Sequence, residues 1–203
     1  MKDKITEKAT EMFLIQGAKG LTMDSIANEM GISKKTIYKY FNTKRELIMA
    51  GSEFLFHKII NGIHEIMELN ENPIKEIDLI KDFVFEILKN ESTSPYFQFQ
   101  KYFPKIYQSL ITRQFTEMNK CITENIKKGI EQGLYRSEIN TKLISRFFFI
   151  GVSNIKDPIL FNPIQFSAIE VQDIYLNFYL RGICTQKGLD YLFNYKIKSK
   201  NLN

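Results

Sequence analysis

Apolar residues recur at three- and four-residue intervals along nearly the whole chain, and that spacing restricts it to helices. Ile5, Ala9, Met12 and Phe13 fall at i, i+4, i+7 and i+8, which gives a first helix one apolar face. Gly17 is the expected stop, with Gly20 in the connection. Thr22 stands as N-cap of a short second helix, and Asp24 lies against its positive end. Ile26, Ala27 and Met30 form the inner face of that helix. Gly31 ends it, Ser33 caps a third helix running Lys34 to Phe41, and Asn42 breaks the third. Thr43-Lys44-Arg45-Glu46 fits a capping box that opens a long fourth helix through about Leu69.

Pro73, after the loop Asn70-Glu71-Asn72, suits the first position of a fifth helix reaching about Asn90. Residues 91–95 read as a loop, and Pro104 interrupts an aromatic stretch from Tyr96 to Tyr107. A long helix is expected from Thr112 to Gln132, ended by Gly133. Another starts at an Asn140 cap and runs to about Lys156, and a last one runs from about Ala168 to Gln186. Asp157-Pro158 and Asn162-Pro163 mark the loop between these two. No run alternates as a strand does, and no internal repeat or low-complexity segment stands out. The expected fold class is therefore all-α with about nine helices. It comprises a three-helix module over residues 1–47, a helical body over 48–195 and a basic flexible tail over 196–203.

Composition narrows the function by exclusion. The chain has 203 residues, 17 Phe and 10 Tyr but no Trp, enough rings for a large core or an apolar cavity. Cys121 and Cys184 are far apart and belong to no Cys-x-x-Cys pair, and His57 and His64 are the only histidines, so no metal site is expected. Reduced thiols fit a cytoplasmic protein. The N-terminus lacks an apolar signal core, and the densest apolar run, Phe147 to Val152, is far short of the ~20 residues a membrane span needs. No Ser-His-Asp set and no phosphate-cradling glycine loop occurs, so neither an enzyme nor a cofactor is expected.

The net charge of +5 matters for where it sits. From Ser33 to Arg45 stand five cations (Lys34, Lys35, Lys39, Lys44, Arg45) and no acid. They lie on and after the second of two short helices joined by Gly31-Ile32-Ser33, the layout of a helix-turn-helix. Interleaved Ser33, Thr36, Tyr38 and Tyr40 offer donors to phosphates and contacts to thymine methyls.

The run from Leu21 to Leu47 resembles the signature of the TetR family of bacterial transcription regulators. In that family an Ile-Ala pair leads to a Gly-[Val/Ile]-Ser-x-x-x-[Leu/Ile]-Tyr-x-[Tyr/His]-Phe core and a Lys-x-x-Leu exit. Here these are Ile26-Ala27, Gly31 through Phe41, and Lys44 to Leu47. The glycine that normally precedes the threonine is displaced: Gly20 lies two residues before Thr22 and Gly17 five before. The resemblance implies that Thr22, Ser33, Lys34, Lys35, Thr36, Tyr38, Tyr40 and Lys44 face double-stranded DNA, while Ile26, Ala27, Ile37 and Phe41 are core. It implies a homodimer paired through the last two long helices, bound to a pseudo-palindromic operator. It implies a body that binds a small effector, and repression as the common mode of action. Rings between Tyr96 and Phe115 favour an apolar or aromatic effector, with Phe99, Phe103, Tyr107, Phe115 and Phe148 as candidate contacts. The alternative is a helical ligand- or protein-binding module that no longer reads DNA.

Overall fold

Glycine, proline and hydroxyl caps set most of the helix boundaries. The computed structural model describes residues 1–88 and 100–200. Its helices are α1 (Lys2–Gly20), α2 (Met23–Glu29), α3 (Lys34–Tyr38), α4 (Lys44–Glu68), α5 (Pro73–Leu88), α6 (Pro104–Glu131), α7 (Thr141–Asn154), α8 (Ala168–Ile183) and α9 (Gln186–Lys200). Among the described residues there is no sheet, only an isolated antiparallel bridge between Tyr135 and Cys184. None of these helices is long and apolar enough to cross a membrane. The expected loop at 91–95 and the end of the fifth helix near Asn90 lie outside the described residues.

Four boundaries differ from expectation. Helix α3 stops at Tyr38, short of the expected Phe41. Gly17 kinks α1 at φ 71° without ending it, and the helix resumes to Gly20. Pro104 opens α6 well before Thr112, because a missing N–H costs nothing at the first helical position. The expected last helix is two helices. Cys184 turns extended (φ −71°, ψ 148°) and ends α8. The Thr185 hydroxyl accepts the Gly188 N–H at 3.2 Å to start α9. The break is held by the Leu134–Arg136 segment: the Thr185 N–H donates to the Leu134 carbonyl and the Arg136 N–H to the Ile183 carbonyl, both at 2.9 Å. Helix α9 then continues to Lys200, past the start of the expected tail.

The chain forms two compact units, Met1–His64 with Phe83–Thr112, and Glu65–Asp82 with Arg113–Asn203. In the first, Ile5, Ile26, Ile37 and Leu47 are fully buried in one cluster with Phe13, Phe41, Ile106 and Leu110. Each such side chain contributes about 1.5–3 kcal/mol on burial. Thr10 on α1 reaches Gly51 on α4, its hydroxyl 3.3 Å from the Gly51 carbonyl, so these two helices pack closely.

In the second unit, Ile126, Leu134, Phe148, Leu180 and Ile183 form another cluster. Gly151 on α7 lies against the Tyr175 ring, which leaves no room for a Cβ, and the Tyr175 hydroxyl donates to the Phe147 carbonyl at 2.9 Å. A polar network crosses this core. Glu76 and Asn125 are 1% and 2% exposed. The Asn125 amide donates to Glu76 Oε1 at 2.8 Å and to the Pro73 carbonyl at 2.9 Å, and Lys128 Nζ donates to Glu76 Oε2 at 3.1 Å. The buried Tyr135 hydroxyl donates to Asn125 Oδ1 at 3.3 Å. One amide thereby ties α5, α6 and the segment after α6 together, and it supplies a donor that a buried carboxylate needs. Asn125→Ala is expected to lower stability by about 2–3 kcal/mol by leaving Glu76 short of a partner. Urea unfolding checks this, and an unchanged midpoint would refute the network's role.

Both cysteines are buried, and burial pushes each thiol up to about 11. Thiolate is the reactive form. Neither cysteine should react with a thiol reagent at pH 8 until the protein is unfolded, and rapid labelling of the native protein would contradict these positions.

Candidate nucleic-acid interface

The turn between α2 and α3 closes with a specific set of backbone bonds. Gly31 has φ +63°, a left-handed conformation that glycine adopts without steric cost. The Gly31 N–H donates to the Asn28 carbonyl at 3.1 Å and the Ile32 N–H to the Ala27 carbonyl at 3.0 Å, a Schellman ending. Ile32 packs against the first cluster and holds the angle between the helices. At the start of α2 the Thr22 hydroxyl accepts the Ser25 N–H and the Ser25 hydroxyl accepts the Thr22 N–H, both at 3.0 Å. This is a reciprocal capping box with serine in the third position.

Ser33 caps α3, its hydroxyl accepting the Thr36 N–H at 3.1 Å and lying 2.9 Å from the Thr36 hydroxyl. Ile37 (0% exposed) and Phe41 (3%) are buried in the first cluster, so the opposite face of the segment is turned outward. That face carries Lys35, Tyr38, Lys39 and Tyr40, all exposed. Thr43 caps α4 by accepting the Glu46 N–H at 3.1 Å, while Glu46 accepts from the Asn42 N–H at 2.9 Å, one residue earlier than a reciprocal box requires. Lys44 begins α4 partly buried, and desolvation lowers its pKa. A phosphate beside it would counter that desolvation.

Of the predicted site residues, Thr22 and Ser33 cap α2 and α3, Lys34, Lys35, Thr36 and Tyr38 lie on α3, Tyr40 stands in the turn after it, and Lys44 begins α4. Lys34 has a prior partner. Its Nζ is 2.7 Å from Asp24 Oδ2, an ion pair that holds its pKa above the usual lysine value. Asp24 belongs to the charge pattern of this surface, although its sequence position signals only a helix-dipole role. Lys2 also makes a contact across the chain: its Nζ lies 5.6 Å from the Phe41 ring centroid. No local pattern marks that contact, because 39 positions of sequence separate the two residues.

The candidate effector rings are distributed. Phe103 and Tyr107 pack half-buried against the first cluster. Phe115 meets Phe149 edge to face at 5.1 Å, with the Arg146 guanidinium 5.6 Å from the Phe115 centroid. Phe148 is buried against Tyr179 at 4.9 Å, a core contact. Phe99 lies outside the described residues.

The charges of this surface set opposite expectations for two substitutions. Lys35→Ala should reduce the slope of log K for DNA against log salt by about one unit. Asp24→Asn removes a carboxylate from this cationic surface and releases Lys34, so it should tighten DNA binding severalfold. Fluorescence anisotropy across a salt series measures both. Weaker binding by Asp24→Asn would mean that the pair positions Lys34 instead of occupying it.

The family model described as bacterial regulatory proteins of the tetR family matches residues 5–50. The Staphylococcus aureus biofilm operon icaADBC HTH-type negative transcriptional regulator IcaR is 27% identical over 136 residues, spanning 65% of this chain and 70% of that protein. The Mycobacterium tuberculosis HTH-type transcriptional repressor KstR2 is 21% identical over 149 residues, spanning 72% of this chain and 74% of its own. A TetR-family transcriptional regulator structure from Agrobacterium tumefaciens superposes with a TM-score of 0.73 at 15% identity, over 91% of this chain and 97% of that one, a likeness of fold. The Schellman turn and the serine-capped basic helix lie inside the matched residues, so residues 5–50 form a tetR-family helix-turn-helix domain, and the all-helical body that follows has the fold of solved TetR-family regulators.

Proposed function

We propose that the protein is a dimeric repressor that binds a pseudo-palindromic operator and is released from it by a small apolar or aromatic effector. The observation that carries the DNA reading is the two-sided α3 segment, with Ile37 and Phe41 buried and Lys35, Tyr38, Lys39 and Tyr40 exposed. Residues 1–47 serve as the DNA-binding module and 48–195 as the effector-binding and dimerising body. Lys35, Thr36 and Tyr38 approach base edges. Thr22, Ser33, Tyr40 and Lys44 hold the backbone, and Lys34 joins them when its pair with Asp24 opens.

Dimerisation is supported by α7 and α8. Leu143, Phe147 and Ile150 on α7, and Ile169, Ile174 and Phe178 on α8, are each at least half exposed. Apolar surface of this extent is uncommon on a monomer. Pairing these two helices with their copies buries it and sets two recognition helices on one duplex. Repression is supported by the names of the relatives, one a negative regulator and the other a repressor. The effector reading is supported by the half-buried rings: Phe103 and Tyr107 in the first unit, and Phe115 in the second.

Anisotropy of labelled DNA from immediately upstream of the protein's own gene tests this reading. Specific binding should weaken steeply with salt and fall at least about tenfold with Tyr38→Ala, a loss of one or two base contacts. Equal weak affinity for that duplex, a scrambled one and a random-sequence pool would refute it and favour a helical module that does not read DNA.

A further inference from the structure

The segment between α7 and α8 contains a repeat too short to be a repeat architecture. Asp157-Pro158-Ile159-Leu160-Phe161 is followed directly by Asn162-Pro163-Ile164-Gln165-Phe166. The two pentapeptides fold alike. Asp157 Oδ1 accepts the Ile159 N–H at 2.8 Å, and Asn162 Oδ1 accepts the Ile164 N–H at 2.9 Å. The Phe161 N–H donates to the Asp157 carbonyl at 2.8 Å and the Phe166 N–H to the Asn162 carbonyl at 2.9 Å. The two phenylalanine rings meet edge to face with centroids 6.4 Å apart. Proline in the second position of each turn presets its backbone. Side-chain acceptors and prolines thus hold both isoleucines outward, Ile159 at 83% exposure and Ile164 at 93%.

We propose that this double turn is a docking arm for a second copy of the chain, extending the apolar face of α7 and α8; the proposal rests on the dimer reading above. Three observations select that occupant. First, the arm is continuous with the face: it joins α7 directly to α8, whose outward Phe147, Ile150, Ile174 and Phe178 are exposed. Second, no charged side chain occurs from Pro158 to Ile169, so the arm has nothing to attract a nucleic acid or an anionic lipid surface. Third, area argues for it. A stable dimer needs about 800 Å² from each partner. The six exposed side chains of α7 and α8 supply part of that area, and the arm's four (Ile159, Leu160, Ile164 and Phe166), two of them more than four-fifths exposed, add to it. Hydrogen bonds already order the turns, so docking loses little conformational freedom.

Two measurements test the arm. Both isoleucines are exposed, so Ile159→Asp with Ile164→Asp leaves the protomer fold intact, which far-ultraviolet circular dichroism checks. Sedimentation velocity should show the dimer dissociation constant weakened by at least about tenfold. The chain has no tryptophan, so Ile164→Trp introduces a single reporter. Its emission should move to shorter wavelength over the same concentrations at which the dimer forms. A dimer that is broken by Phe147→Asp but unaffected by the paired aspartates, with a tryptophan that stays water-exposed, overturns the arm and leaves the helical face standing. A wild-type protein that sediments as a monomer overturns the dimer reading and the arm with it.

Discussion

A five-residue helix has no stability of its own in water, yet α3 carries half of the proposed DNA contacts. It exists because Ile37 is driven completely into the first cluster and Phe41 nearly so. Gly31 sets the angle at which the segment leaves α2, and Ser33 satisfies an N–H that would otherwise be unpaired. Every exposed side chain on α3 inherits its direction from those buried neighbours. Burial and proposed recognition are two faces of one short segment, so a core change at Ile37 is also a change in the proposed DNA-facing surface.

The second unit solves a different problem. Its core contains a carboxylate, and a buried charge is tolerated only when its oxygens are matched. Asn125 and Lys128 do that for Glu76, and Tyr135 completes the ring of partners around Asn125. The same unit leaves large apolar groups uncovered on α7, on α8 and on the double turn between them. Polar groups inside and apolar groups outside invert the usual partition. The inside is explained by pairing, and the outside calls for a partner surface.

Much of the DNA module was legible in the sequence because its determinants are local. Thr22, Gly31 and Ser33 act within three or four residues of themselves, and the 3.6-residue period marked Ile26, Ala27, Ile37 and Phe41 as core. The family signature then named a role for each exposed position. The Lys34–Asp24 pair was not legible, since nothing in a linear pattern says that ten residues of separation fold into 2.7 Å. The aromatic stretch before Phe115 could not be sorted into cavity and core from sequence for a related reason. A ring that lines a cavity and a ring that fills a core look alike in sequence, and Phe148 proves to pack against Tyr175 and Tyr179.

By itself the sequence determined the helical class, the glycine turn, the caps and the concentration of cations between Ser33 and Arg45. These follow from backbone preferences and periodicity, which act over a few residues. Tertiary structure decided what depends on distant partners. It divided the expected last helix at Cys184, because the Leu134–Arg136 segment is there to take up the freed backbone bonds. It joined Glu76 to Asn125 across 49 positions of sequence. It also left Phe147, Phe178 and the paired isoleucines facing outward, which no apolar count foretells. Whether an apolar side chain ends in a core or on a surface is settled by what packs over it, and that is a property of the whole fold.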